Sequence, residues 1–237
     1  MATLFGAKTI EVNDPGFVHD LEAMADAINE KTKQIFIANP NNPTGTLVTQ
    51  EAIDRFMERV PENIIVIFDE AYYEFLDTPP DTLKFIKEGR NVVVMRTFSK
   101  IQGLAGLRIG YGITTPSLSS ILQKTRQPFN ANLIAQEAAL AALDDDEHQN
   151  KTKKITDEGR SLFQSEFEKM GIEYVPSYAN FVLLKVGDGD EVFQKMLSEG
   201  VIVRAMRGYK LPEWIRVSIG TMEENLKFLE LLRLINS

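Results

Sequence analysis

The sequence predicts an α/β protein built on a mostly parallel sheet, followed by a smaller α+β portion. Three observations carry this. Gln34–Ala38, Asn63–Phe68 and Asn91–Arg96 are short apolar runs rich in β-branched residues. None shows polar alternation, as expected of strands buried on both faces of a parallel sheet. The first two are separated by a helical pattern, and a polar motif follows the end of each run. In open α/β sheets the carboxyl ends of the strands gather along one edge, where ligands bind.

Composition limits the function classes. The 237 residues are 43% hydrophobic and 25% charged, enough for a sizeable core in one or two domains. The net charge of −8 argues against nucleic-acid and anionic-membrane partners, so any phosphate site must be local. There is no cysteine, which removes disulfides, thiolate metal sites and a thiol nucleophile. His19 and His148 lie far apart and read as surface residues, not as a metal site or triad. No run reaches membrane-spanning length and no signal peptide is visible, so the default compartment is the cytoplasm.

In chain order, residues 1–6 read as the last turn of a helix closed by Gly6. Lys8–Val12 reads as a short strand. A chain rarely starts at the end of an element, so a further piece is expected upstream. Asp20–Ile28 has helical spacing. After the strand Gln34–Ala38, Asn39-Pro40-Asn41-Asn42-Pro43-Thr44-Gly45 predicts a rigid loop whose asparagines supply amide donors. Thr49 caps a helix running to about Val60, with Glu51 in its first turn.

Asn63–Phe68 ends in Asp69-Glu70-Ala71-Tyr72. A carboxylate there is a helix cap, or it is paired, because burying it alone is costly. Asn91–Arg96 ends in Thr97-Phe98-Ser99-Lys100, followed by glycines and Arg108. A lysine buried near other cations is pushed toward its neutral, nucleophilic form and can form a Schiff base. Thr97, Ser99 and Arg108 are suitable phosphate donors. The plainer reading is a surface loop with an ordinary lysine.

The rest is expected to form the smaller portion. Leu133–Leu143 is a helix. Asp144–Glu147 opens the next helix rather than binding metal, and Glu158–Met170 continues it to Gly171. Asn180–Val186, Val201–Val203 and Ile215–Ile219 are strands, and Asp190–Glu199 is a helix. Thr221-Met222-Glu223-Glu224 is a capping box opening a final helix to Ile235. Arg216, taken alone, reads as a surface arginine on an edge strand.

The shared strand-end position of the three motifs offers an amide, a carboxylate, a phenol, hydroxyls, a lysine and an arginine together. Pyridoxal phosphate needs such a set. Ala38–Gly45, Asp69–Tyr72, Thr97–Lys100 with Ala105–Arg108, Val203-Arg204 and Gly208–Thr221 stand in order along nearly the whole chain. On these segments the chain resembles the fold-type-I pyridoxal-phosphate-dependent aminotransferases, and within them the group acting on histidinol phosphate.

The resemblance implies a three-layer αβα sheet, incomplete here, in a cofactor-binding domain of residues 1–145, with a small domain over 146–237. It implies that Lys100 holds the cofactor and then moves the substrate proton. Asp69 would pair with the pyridinium nitrogen, and Asn42 and Tyr72 with the phenolic oxygen. Thr97, Ser99 and Arg108 would take the phosphate. Arg216 would bind the substrate's acidic group, with Arg204 a second anion contact and Asn180 near by. It further implies a homodimer and transfer of an amino group between glutamate and imidazole-acetol phosphate in histidine biosynthesis. Family chains begin well upstream of Met1, with a glycine turn and helix completing the phosphate cup. An amino-acid-phosphate decarboxylase is the competing enzyme reading, and a non-catalytic ligand-binding module the competing reading of another class.

Overall fold

The computed structural model describes residues 2–236. Helices α1 (Leu21–Asp26), α2 (Gln50–Arg59), α3 (Leu83–Lys87) and α4 (Pro116–Thr125) accompany strands β1 (Gln34–Ala38), β2 (Ile65–Asp69), β3 (Val92–Thr97) and β4 (Gly110–Thr114). The strands form one sheet in the order β1-β2-β3-β4. The first two pairings are parallel, with Ala38 opposite Asp69 and Asp69 opposite Met95; β4 runs antiparallel to β3. Apolar side chains of one face, among them Ile35, Ile37, Phe68 and Val94, bury against α1, α2 and α3. On the other face Ile67 and Val93 pack on Leu118 of α4. The layers are therefore helix, sheet, helix, as expected. The second helical layer is thin, and Phe36 of β1 stays 59% exposed on that side.

The remainder comprises α5 (Leu133–Leu143), α6 (Asp146–Met170), β5 (Tyr174–Val175), β6 (Phe181–Lys185), α7 (Gly189–Ser198), β7 (Arg204–Ala205), β8 (Trp214–Ser218) and α8 (Met222–Asn236). Its strands form an antiparallel sheet in the order β5-β6-β8-β7. Phe163 and Phe167 of α6, Met196 of α7 and Leu229 of α8 bury against Val182, Leu184, Ile215 and Val217. The capping box forms: Thr221 Oγ1 accepts from the Glu224 backbone, and Glu224 accepts from that of Thr221.

Several expectations need correction. Lys8–Val12 is not a strand: no neighbouring strand takes its backbone groups, and Ile10 is exposed. Met1 lies outside the described residues, while Ala2–Phe5 forms a 3-10 turn closed by Gly6. Val201–Val203 is not a strand either. The Val201 N–H is taken by Met196 O at the end of α7, so pairing starts only at Arg204. Arg216 is not on an edge, because β8 lies between β6 and β7. His19 is partly buried and bonded to Asp14 at 3.1 Å. Strand β4 and helix α4 escaped the sequence reading. Gly110 and Gly112 interrupt β4's apolar pattern, and a Cβ at Gly110 would stand 2.7 Å from Arg96 O.

The loop after β1 joins the two sheets' surroundings. Gly45 has a φ of +78°, and its carbonyl accepts from the Tyr178 N–H at 2.7 Å. A Cβ there would lie 2.2 Å from Ser177 Oγ. Gly45→Ala should therefore lower stability by about 2–5 kcal/mol, from left-handed strain and overpacking combined. Urea denaturation measures this, and an unchanged midpoint would remove the contact from the account.

Candidate active site

The ends of three strands open onto one groove of about 890 Å3, which also runs back along the sheet face to Gln34, Ile65 and Leu118. From β1 comes the Asn39–Gly45 loop. Asn39 exchanges hydrogen bonds with the Val48 backbone at 2.8 and 3.1 Å. Asn41 donates to Thr44 Oγ1 at 3.0 Å. Both amides are thus consumed in holding the loop, and only Asn42 lines the cavity. From β2 comes Asp69, whose carboxylate accepts the Ala71 N–H at 3.1 Å and so turns the chain toward Tyr72. From β3 come Thr97, Ser99 and Lys100. Thr97 Oγ1 accepts from the Ser99 N–H at 3.0 Å, folding the turn that presents the lysine. Arg108 follows on the rim with a φ of +53°, and its side chain donates to Ala105 O at 2.7 Å. The left-handed backbone of this arginine is a few-per-cent conformation for a non-glycine residue.

The electrostatics favour a reactive amine. Burial pulls the Lys100 pKa below its ordinary value, and nearby Arg216 pulls the same way. Asp69 pulls in the opposite sense, and Arg108 adds a smaller downward effect. Lys100 Nζ lies 5.2 Å from the centre of the Tyr72 ring. Burial pushes the Tyr72 phenol up, with Arg216 opposing.

Arg216 reaches this group from the second sheet. Its Nη1 donates to Asn42 Oδ1, and its guanidinium sits 4.7 Å from the Phe181 ring centre. Phe181 in turn packs edge-on to Tyr72 at 5.2 Å. The Arg216 Nε is buried without a partner. A buried charged donor left unmatched is costly. Arg204 faces Arg216 across the β7–β8 pair, and both line a second cavity of about 690 Å3. Asn180 lines neither cavity; its carbonyl accepts from the Ile219 N–H.

Sequence reasoning missed two contributors. Phe181 supports both Tyr72 and Arg216, and nothing local marks it among the other apolar residues of β6. Arg96 also lines the cavity. Its adjacency to Thr97 was the available signal.

The sequence model of the family "Aminotransferase class I and II" matches residues 1–232. The chain belongs to this family. It is 56% identical over 234 residues to the histidinol-phosphate aminotransferase of Akkermansia muciniphila, covering 98% of this chain and 64% of that one. The chain thus spans just under two thirds of that relative's length. The crystal structure of the histidinol-phosphate aminotransferase from Clostridium acetobutylicum superposes with a TM-score of 0.91 at 26% identity, over 99% of this chain and 73% of the other. That from Sinorhizobium meliloti, in complex with pyridoxal-5'-phosphate, superposes with a TM-score of 0.88 at 28% identity, over 99% and 67%.

The donor set of this aminotransferase fold suits an anionic, aldehyde-bearing ring. An amine with a lowered pKa, a carboxylate, hydroxyls and a guanidinium line one cavity, and the unpartnered Arg216 Nε lies beside it.

Proposed function

We propose that the protein is a pyridoxal-phosphate-dependent aminotransferase. Its substrates are histidinol phosphate and 2-oxoglutarate, and its products imidazole-acetol phosphate and glutamate. The observation that carries this reading is Lys100: an amine with a lowered pKa, in one cavity with Asp69 and the phosphate-type donors. The named relatives support the substrate.

When bound, pyridoxal phosphate supplies an electron sink for the charge that develops at the substrate Cα. Lys100 anchors it through Nζ and afterwards serves as the base that takes the proton from Cα. Asp69 holds a proton on the ring nitrogen. Asn42 and Tyr72 donate to the ring's phenolic oxygen. Thr97, Ser99 and Arg108 bind the phosphate. Arg216 orients the substrate by forking onto its acidic group, and Phe181 keeps the guanidinium in place. Residues 1–145 form the cofactor domain and residues 146–237 the small domain. We place the protein in the cytoplasm as a homodimer; exposed apolar residues such as Phe129, Leu133 and Ile134 suit a covered surface.

Glutamate presents a carboxylate and histidinol phosphate a phosphate, and one site must take both. Arg216→Ala should damage both half-reactions. Arg204→Ala should weaken use of the phosphate substrate by about 1.5–3 kcal/mol more than use of glutamate, the value of one charged hydrogen bond. Single-turnover half-reactions with each donor test this. Equal losses on removing Arg204 would take away its phosphate role, and a preference for aspartate or an aromatic amino acid would take away the substrate.

A further inference from the structure

The strand ends carrying Asp69 and Lys100 lose their backbone connection just where the site begins. The β2–β3 register ends at Asp69 opposite Met95, and the last backbone bond between the strands is Glu70 N–H to Met95 O at 2.8 Å. Beyond it β3 continues against β4, with Arg96 opposite Tyr111 and Thr97 opposite Gly110. The chain after Glu70 turns away into the Tyr73–Phe75 3-10 turn.

A buried ion pair spans this divergence. Arg96 Nε and Nη2 both approach Glu70 Oε2 at 2.9 Å. The Glu70 side chain is 4% exposed and that of Arg96 13%. Thr82 Oγ1 donates to the other carboxylate oxygen at 2.5 Å. The Arg96 guanidinium also lies 3.5 Å from the centre of the Tyr73 ring. Each charged partner is the sequence neighbour of a site residue: Glu70 follows Asp69, and Arg96 precedes Thr97. Arg96 therefore grips the chain on both sides of Ala71-Tyr72. Other links across the gap are weaker, among them a Gln102–Glu74 contact at 3.5 Å, Lys100 Nζ at 5.2 Å from the Tyr72 ring centre, and the packing of Ile101 on Tyr72 and Phe75.

We infer that Glu70 and Arg96 are positioning residues whose buried fork sets the placement of Asp69 and Tyr72 relative to the Lys100 amine. This rests on the reading of Lys100 and Asp69 as the cofactor-binding pair. The geometry requires a planar, two-pronged cation that also stacks on an aromatic ring, which arginine provides and lysine does not. A mere charge neutraliser could be either.

The test uses the full chain without cofactor and the variants Glu70→Gln and Arg96→Lys. Lys100 is labelled with trinitrobenzenesulfonate across a pH series, and its modification is quantified by peptide mapping. In both variants the Lys100 titration should move by about half a unit or more toward the ordinary lysine value, because a loosened strand end admits water. In a parallel titration, pyridoxal phosphate should bind roughly tenfold more weakly or worse. Circular dichroism melting identifies which variants are folded. Should Glu70→Gln fail to fold, Arg96→Lys, which keeps the buried positive charge, carries the test. A folded variant with a lower melting temperature but an unchanged Lys100 titration would overturn the proposal and leave the pair a purely structural one. If the parent chain does not bind pyridoxal phosphate, the functional reading fails while the lysine titration still decides the role of the pair.

Discussion

Lys100→Ala is expected to abolish covalent capture of pyridoxal phosphate and to lower amino transfer by roughly 10²–10⁴-fold from loss of the base alone. That factor corresponds to about 3–5 kcal/mol of barrier. The reason lies in the environment of Nζ. It is the lysine that lines the strand-end cavity, and burial with Arg216 near by lowers its pKa. Among the described residues no other lysine lines this cavity. Borohydride reduction of the loaded protein should fix the cofactor to the peptide containing Lys100. A label on another lysine, or a variant that turns over within tenfold of the parent, would refute the assignment. Arg216→Ala should have a second consequence at the same atom. Removing that cation should raise the Lys100 pKa, so that modification of the amine at a fixed neutral pH becomes slower.

Asp69→Asn should impair chemistry far more than binding, by about 10²–10³-fold in turnover, equivalent to roughly 3–4 kcal/mol. The carboxylate sits at the last position of β2, facing the cavity, where its charge can hold a proton on the ring nitrogen; an amide has no such charge. Its hydrogen bond to the Ala71 N–H can be kept by the Asn side-chain oxygen, so the local turn should survive. Comparing cofactor affinity with single-turnover rates separates the two effects. Near-parental turnover in a folded variant would remove Asp69 from the mechanism.

Much of the candidate site is legible in the sequence. Strands β2 and β3 declare themselves because a strand buried on both faces must be apolar throughout; β1 carries the same apolar pattern although Phe36 leaves one of its faces exposed. Their ends declare themselves because polar clusters cannot continue into such a core. The three motifs therefore fall on one sheet edge as expected, and Asn42, Asp69, Tyr72, Thr97, Ser99, Lys100 and Arg108 line a single cavity. Asn39 and Asn41 were less legible. Their amides looked as available as that of Asn42, but the loop consumes both. Arg216 could not be placed from local pattern, since an arginine in a strand reads as a surface residue until the neighbours of that strand are known.

The sequence by itself determined the class of fold and the three loops at the sheet edge, because periodicity and punctuation are local properties of the chain. It determined the chemistry available there, because residue types carry their functional groups with them. Only the tertiary structure decided which strands are central, with β8 between β6 and β7 and β4 closing the first sheet through glycines. Only the tertiary structure decided the direction in which the Lys100 pKa moves, because it depends on burial and on Arg216, which lies more than a hundred residues away along the chain. The same holds for the buried Glu70–Arg96 fork. Desolvation and Coulomb attraction act across space, and no spacing along the sequence records the distance between two strands.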